Sequence, residues 1–339
     1  MDTGSLRGRR LLSVEDSELG SEWAGVWTRQ QAVASLGRAR VATRLRQGYW
    51  QEPYPGVCTD GGTVPDPEQR AWAAVLVAGE GACAAGRTAA RLHGLPLIDD
   101  DDPATGALDL VHDDVLASRS RTVRGNPLAL PYDVAFARGG SADTALVLHQ
   151  RRGSLDPDER TLTASGLHVT TPARTLFDCA ALLTHDALVC AIDNALHREL
   201  VTVAQLNELA QRHRWMPGAP AFRAALAVAD GRAESPAETL TRLLLLPHLP
   251  GLVPQVELRQ GGARFDLADE AARFAVEADG RRGHAGEVMA AKDQRRDRRT
   301  TGLGWRTERT RWFELRRQQA ALVTRMVAAY AEHTRHRAA

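Results

Sequence analysis

Regular patterns of apolar and polar residues begin at Thr28, a good helix N-cap. The residues after it favour a helix that stops at Gly37, and a second helical stretch covers 38–47. Aromatic and apolar residues among prolines and glycines at 49–57 are typical of a small hairpin. The predicted order is therefore helix, turn, helix, wing.

The second helical stretch separates apolar from basic positions. With a rotation of ~100° per residue about the helix axis, Val41 and Leu45 lie on one side of the helix and the polar residues lie on another. That face can offer donors to phosphates and base edges in a DNA major groove, as a recognition helix does. Any small amphipathic helix with a solvated charged face has the same pattern, so this alternative stays open. The candidate DNA-binding residues here are Arg40, Thr43, Arg44 and Gln47.

Residues 63–231 mix short helical and apolar patterns. Their histidines are dispersed, and each is better explained as a structural or exposed side chain than as a ligand. A loop is predicted at 215–220 from its glycine and prolines. The predicted helices are 68–77, 87–92, 172–183 and 187–200, and short apolar runs lie between them at 108–112 and 145–149.

From Ser235 the pattern changes to helix, three strands, helix, strand, helix. This order predicts a mixed α/β domain with a small central sheet. The predicted helices are 236–247, 287–301 and a last one from Trp312, and the predicted strands are 253–259, 264–268, 274–279 and 305–310.

The third of these strands carries two acids on one face. Side chains alternate along a strand, so Glu277 and Asp279 share a side with Ala275. Like charges held close in a central strand are costly unless a cation or a proton neutralises them. Asp266, in the middle of the preceding strand, can meet them across a hairpin. Carboxylates without clustered cysteines or histidines favour Mg²⁺ or Mn²⁺ over zinc, and such an ion can activate water towards a phosphodiester.

A simpler explanation of the same acids is that each pairs with a neighbouring arginine. Their spacing, followed by Gly280, His284 and a basic helix, favours the metal site. The arginines of that helix could neutralise DNA phosphates beside the site, and a solvated helix face is the alternative. The candidates in this helix are Arg295, Arg296 and Arg299.

Composition agrees with a folded chain of more than one domain. The 339 residues are 43% hydrophobic and 25% charged, which is ordinary for a globular protein. No apolar run of about 18 residues occurs and the charged start precedes no apolar stretch, so we expect a cytoplasmic protein without a membrane span. The four cysteines lack paired spacing, so a zinc site or disulfide framework is not expected. The net charge of +1 hides two locally cationic segments, 28–50 and 281–317.

Three segments resemble known families. The segment 28–57 resembles the winged helix of abortive-infection type IV (AbiEi-type) antitoxins, and 171–178 is similar to the region that joins the two modules in actinobacterial proteins. The C-terminal motifs resemble the very-short-patch-repair-like branch of the PD-(D/E)XK nuclease superfamily. These motifs are Ser-Pro-Ala-Glu (235–238), Arg-Phe-Asp-Leu-Ala (264–268), Val-Glu-Ala-Asp-Gly (276–280) and Gly-Trp (304–305).

The nuclease resemblance implies that Asp266 and Glu277 hold the metal ion. It puts Asp279 where the superfamily name expects a lysine. Asp279 could add a metal ligand, which leaves His284 as the candidate proton-transfer group. The related mismatch-repair endonucleases also lack that lysine, so the resemblance still implies a nuclease.

Glu238 matches a helix acid that can support the metal site in this superfamily. With Ser235 as N-cap and Pro236 in the first turn, the same glutamate also completes a capping box. Both roles stay open at this point.

We therefore expect a mixed α/β (α+β) multidomain protein. Its domains would be a winged helix-turn-helix at 1–62, a mixed domain without an assigned role at 63–231, and a restriction-endonuclease-like αβββαβ core at 232–339. The expected activity is Mg²⁺- or Mn²⁺-dependent hydrolysis of DNA. One alternative is a transcriptional regulator or antitoxin-like DNA binder with a non-catalytic nuclease fold. The other is an interaction protein whose winged helix contacts a toxin-type partner instead of DNA.

Overall fold

The computed structural model of the chain describes residues 25–54, 56–61, 66–78, 82–99, 108–113, 132–135, 147–153, 155–258, 264–279 and 298–338. The chain divides into two compact units, Met1–His93 with Asp100–Thr175, and Gly94–Asp99 with Leu176–Ala339. Both contain helices and small sheets, so the expected mixed α/β class is confirmed. The domain boundaries at 62 and 231 stay predictions. Within the described ranges, no helix combines the length and apolar character needed to cross a bilayer.

The first unit opens with a three-stranded sheet and two short helices. In chain order these are β1 (Val26–Thr28), α1 (Arg29–Leu36), α2 (Arg38–Arg46), β2 (Trp50–Tyr54) and β3 (Val57–Asp60). The strand order is β1-β3-β2, with both pairs antiparallel. Thr28 caps α1 as predicted, in a capping box with Gln31, and Gly37 ends it at a φ of 81°. The predicted helix, turn, helix and hairpin are thus all present.

A small apolar core holds these elements together. Val41 of α2 is buried in it and Leu45 packs against it, which confirms the predicted apolar side of this helix. The rings of Trp27 and Trp50 lie 4.7 Å apart between their centroids, so β1 and β2 both contribute an aromatic side chain. The core consists of Trp27, Ala32, Val41, Trp50 and Cys58.

The remainder of the first unit is built on a six-stranded sheet of the order β6-β7-β5-β4-β9-β8. Its strands are β4 (Ala82–Ala84), β5 (Leu108–Asp113), β6 (Tyr132–Ala135), β7 (Val147–Gly153), β8 (Arg160–Leu162) and β9 (His168–Thr170). Its helices are α3 (Pro67–Ala78), α4 (Gly86–Leu92) and α5 (Pro172–Cys179), whose second half belongs to the second unit. The pairs β5–β7 and β4–β9 are parallel, and the others are antiparallel. Trp72 of α3 shares a core with Val57 and Val169, so this helix joins the two sheets.

Three helices begin the second unit: α6 (His185–His197), α7 (Val203–Arg212) and α8 (Ala219–Val228). Only the first of these was predicted. The carboxylate of Asp193 in α6, which is 1% exposed, accepts hydrogen bonds from Asp230 N at 2.6 Å, from Thr239 Oγ1 at 2.8 Å and from Arg242 Nη2 at 2.8 Å. This buried network connects α6 to the part of the unit that carries the sheet.

The sheet of the second unit has the order β10-β11-β12-β13. Its strands are β10 (Val253–Glu257), β11 (Arg264–Asp269), β12 (Phe274–Asp279) and β13 (Arg306–Arg311), and its helices are α9 (Pro236–Leu245), α10 (Trp312–Arg317) and α11 (Gln319–Ala338). The first three strands are antiparallel neighbours, and β13 runs parallel to β12. Leu240, Leu267, Val276 and Leu322 share one core, so α9 and α11 cover the same face of the sheet. The described elements follow the predicted order, with the last helix split at Gln318, and most of the predicted helix 287–301 lies outside the described residues.

Candidate metal centre

The candidate acids lie at one end of the β11–β12 hairpin, on the side away from its turn. The last paired residues at this end are Leu267 and Val276. Beyond them Asp266 Oδ2 accepts a hydrogen bond of 2.7 Å from the backbone N–H of Ala278. That nitrogen belongs to the peptide bond that follows Glu277. The structure therefore brings Asp266 to the backbone beside Glu277, and the predicted meeting of the carboxylates themselves stays a prediction.

The three acids differ in their exposure. Glu277 is 9% exposed, Asp266 is half-buried and Asp279 is exposed at the end of β12. Phe274, Val276 and Ala278 face the core beneath α9, and Ala275 packs with Trp305 in a second core. The side chains of β12 from Phe274 to Val276 thus alternate between the two faces of the sheet as predicted. Of the three acids, Glu277 is the most buried.

The strand β11 changes face at Asp266. Leu267 packs in the core beneath α9, whereas Phe265 packs with Trp305 in the second core, with 4.9 Å between the ring centroids. Simple alternation would put Phe265 and Leu267 on the same side. Opposite this point in β10, Gln255 has a φ of 56°, which is rare for a residue other than glycine. The two strands are therefore irregular together at the place where the acid sits.

Glu238, near the start of α9, uses both carboxylate oxygens. Oε1 accepts from Ser235 Oγ at 2.8 Å, and Oε2 accepts from Glu234 N at 2.9 Å and from Gln255 Nε2 at 2.8 Å. Ser235 is the N-cap, as predicted, but the return bond of the capping box goes to Glu234 instead of Ser235. Burial raises the pKa of Glu238 above its ordinary value, and the nearby charge of Asp266 raises it further. The capping role is therefore present, and the carboxylate also lies within electrostatic reach of the candidate site.

Arginines of β13 lie in register beside the acids of β12. Arg309 is the partner of Glu277 and Arg311 is the partner of Asp279 in the parallel pair. Arg309 is half-buried and Arg311 is exposed. If the acids pair with arginines instead of a metal ion, Arg309 and Arg311 are the partners that this register provides. The same register also places two positive charges on the strand next to the acids of a metal site.

Several candidates lie outside the described residues, namely His284, Arg295, Arg296 and most of the predicted basic helix. Arg299 is described, in a helical segment at 298–302, and it is exposed. Its predicted role in binding DNA phosphates stays a prediction.

The winged-helix candidates lie on the solvent side of α2 or at its end. Arg40 and Gln47 are exposed, and Thr43 and Arg44 are half-buried. The guanidinium of Arg44 lies 5.1 Å from the centre of the Trp50 ring, a cation–π contact that the sequence did not predict. Thr43 Oγ1 accepts a 3.2 Å hydrogen bond from Arg46 Nη2. Arg44 therefore has a structural contact with the hairpin as well as a place on the candidate face.

Comparison with known proteins places this chain near two relatives without assigning an activity. No family model matches the sequence. Two proteins from two strains of Mycobacterium tuberculosis, each described only as uncharacterized, are 30% identical to this chain over 185 residues. The match covers 53% of this chain and 66% of each relative. The chain is thus similar to mycobacterial proteins over about half of its own length.

Proposed function

We propose that this protein binds DNA and hydrolyses its phosphodiester bonds with Mg²⁺ or Mn²⁺, held by Asp266 and Glu277. The hydrogen bond from Ala278 N to Asp266 carries the proposal, because it places the Asp266 carboxylate at the backbone next to Glu277, at the open end of one hairpin. The described elements α9, β10, β11, β12 and β13 include the first helix and the four strands of the αβββαβ order that the motifs resemble, and the predicted helix between β12 and β13 lies mostly outside the described residues. The resemblance to a PD-(D/E)XK nuclease and to an antitoxin-type winged helix is part of this proposal.

The residues present fit a hard divalent cation. Asp266 and Glu277 offer carboxylate oxygens, which Mg²⁺ and Mn²⁺ prefer. Because Glu277 is 9% exposed, a cation would offset the loss of solvation of its carboxylate. The buried amide oxygen of Gln255 has no hydrogen-bond partner among the residues that the structure describes.

A bound Mg²⁺ would polarise the phosphodiester and lower the pKa of an attacking water. Asp279 is exposed at the end of β12, where its carboxylate oxygens can orient that water or accept its proton. His284, five residues further along the chain, is the proposed donor of a proton to the leaving oxygen. The exposed Arg40 and Gln47 of α2 would bind backbone phosphates and base edges.

The decisive experiment is incubation of the full chain with plasmid and with short duplexes in Mg²⁺, Mn²⁺ or EDTA. We expect cleavage in both metals and none in EDTA. Asp266→Asn and Glu277→Gln should each lower cleavage by at least about 100-fold, because each removes a negative charge that would hold the metal. Glu270→Gln is the matched control, since Glu270 is an exposed acid in the turn at the other end of the same hairpin. Circular dichroism melting of each variant checks that it is folded.

Two outcomes would overturn the nuclease proposal. Cleavage that survives both substitutions in folded protein would show that these acids do not hold the metal. Specific duplex binding without strand scission in Mg²⁺ or Mn²⁺ would instead support a regulator or antitoxin-like binder. Two observations already favour that second candidate: Asp279 stands where a lysine is expected, and both oxygens of Glu238 are engaged by protein donors.

A further inference from the structure

Gln255 has three features that the pairing of β10 with β11 does not explain. It has a φ of 56°, its amide nitrogen binds Glu238, and its amide oxygen is buried. Pro254 pairs with Leu267 and Val256 pairs with Phe265, so Gln255 lies directly opposite Asp266. The residue therefore stands beside the candidate metal centre.

The backbone of Gln255 is held in a conformation that costs free energy for a side chain of this kind. A non-glycine residue at positive φ is sparsely populated, and asparagine adopts it more readily than glutamine. Such outliers persist where the surrounding structure over-determines them, and they cluster at ligand sites. The observed outlier thus indicates that the position of this side chain matters.

The orientation of the amide is fixed by its neighbour. Glu238 Oε2 can only accept while it is ionised, so the group at 2.8 Å from it is the amide nitrogen. The amide oxygen of Gln255, Oε1, therefore points away from Glu238, and it is buried and has no hydrogen-bond partner in the described ranges. A buried amide oxygen without a donor is costly, and a cation is one way to satisfy it.

We infer that Gln255 supplies its amide oxygen to the same divalent cation as Asp266 and Glu277, and that Glu238 holds the amide in place. Hard cations accept amide carbonyl oxygens beside carboxylates. Gln255 is then a ligand, and Glu238 is a positioning residue that acts through it. The inference rests on the proposed function, since it concerns the same metal centre.

The test is titration of the full chain with Mn²⁺ alone, followed by electron paramagnetic resonance of the free ion, without DNA. The site is defined as the binding that Asp266→Asn removes. Gln255→Asn eases the backbone at positive φ but withdraws the oxygen by one methylene, so we expect Mn²⁺ to bind about 10-fold more weakly. Gln255→Met keeps the length of the side chain without an amide oxygen and should bind Mn²⁺ about as weakly as Gln255→Asn. Gln205→Asn, the same shortening in the capping box of α7, is the matched control.

Melting temperatures in EDTA show whether each variant is folded. Gln255→Asn loses the hydrogen bond to Glu238, so both a structural role and the ligand role predict a lower melting temperature, and only the ligand role predicts that Mn²⁺ affinity falls as well. The inference is wrong if Gln255→Asn binds Mn²⁺ like the wild type, or if Gln255→Met does. In both cases the proposed function stands as long as Asp266→Asn abolishes binding. If the wild type shows no Mn²⁺ binding that depends on Asp266, the inference and the proposed function are both wrong.

Discussion

Substitution of Glu238 by glutamine distinguishes its capping role from a metal-ligand role. Both oxygens of this carboxylate accept hydrogen bonds from protein donors, namely Ser235 Oγ, Glu234 N and Gln255 Nε2. A glutamine amide can keep its oxygen at the Oε2 position, where it accepts the latter two bonds. Its NH₂ group then meets Ser235 Oγ, a hydroxyl that can accept as well as donate. Every bond of the network can therefore be retained.

The expected change in the free energy of unfolding follows from these bonds. Neutral acceptors give slightly weaker bonds than charged ones, and the lower cost of burying a neutral amide offsets this, so we expect Glu238→Gln to stay within about 1 kcal/mol of the wild type at pH 7. Glu238→Ala removes all three bonds. At about 1 kcal/mol each, that variant should lose about 3 kcal/mol.

The pH dependence gives a second check. Burial raises the pKa of Glu238 in the folded protein above its ordinary value of 4.5. As pH rises, the unfolded chain releases this proton first, so the contribution of Glu238 to stability is present below 4.5 and is lost as pH rises through the folded pKa. Glutamine does not titrate. Glu238→Gln should therefore gain stability relative to the wild type as pH is raised from about 4 to 7.

The assay is urea denaturation at several pH values in EDTA, combined with Mn²⁺ titration of each variant. Because protein donors occupy the carboxylate, Glu238→Gln should change Mn²⁺ affinity by less than about threefold, whereas loss of a true ligand costs about 10-fold or more. A loss of Mn²⁺ affinity of that larger size, with stability unchanged, would refute the argument and make Glu238 a direct ligand.

Three further predictions concern other parts of the chain. Asp193→Ala leaves the buried guanidinium of Arg242 without its carboxylate, so urea denaturation should show a loss of stability of about 3–5 kcal/mol. The control Glu208→Ala removes an exposed ion pair and should stay within about 0.5 kcal/mol of the wild type. Equal effects of the two substitutions would contradict the buried network. Burial, aided by the charge of Glu52, raises the pKa of Cys58 to about 11, and all four cysteines are buried thiols outside any disulfide. Ellman's reagent should therefore detect four thiols at pH 8 only after denaturation, and prompt labelling of native protein would be inconsistent with this. Arg40→Glu should weaken duplex binding in gel shifts and reduce the slope of log affinity against log salt concentration by about 1. The control Arg223→Glu, at an exposed position on α8, should change neither. Duplex binding that is unaffected by Arg40→Glu would favour a protein partner for the winged helix.

Elements with a strong local signal could be predicted from the sequence. The helix α1 begins after Thr28 and ends at Gly37 as expected, and β12 has the predicted limits of 274 and 279. Both depend on interactions within a few residues, such as a side chain that caps its own helix. The order of elements around the acids was predictable for the same reason.

Features set by distant contacts could not be predicted in this way. The parallel pair β4–β9 joins residues more than 80 positions apart, and no local pattern encodes such a pairing. The helix α7 was missed although Thr202 and Gln205 form a capping box at its start, a signal that was available. The positive φ of Gln255 and the stacking of Arg44 on Trp50 have no signature in the sequence, because tertiary packing imposes both.

The two ends of the β11–β12 hairpin show why the position of an acid decides its role. Asp269, at the turn end, is 7% exposed, and its oxygens accept from Ala272 N at 2.9 Å and from Tyr330 Oη at 2.7 Å. This acid is explained by structure alone, and it fastens the turn to α11. At the other end, three positions along the same strand, Asp266 lies where the strands stop pairing, opposite a strained glutamine with a buried amide oxygen. A hairpin fixed at its turn holds the side chains at its open end in place before any ligand arrives, which a metal centre requires. The same fold therefore uses one acid as a structural anchor and presents the other, with Glu277, as the place where a cation is expected.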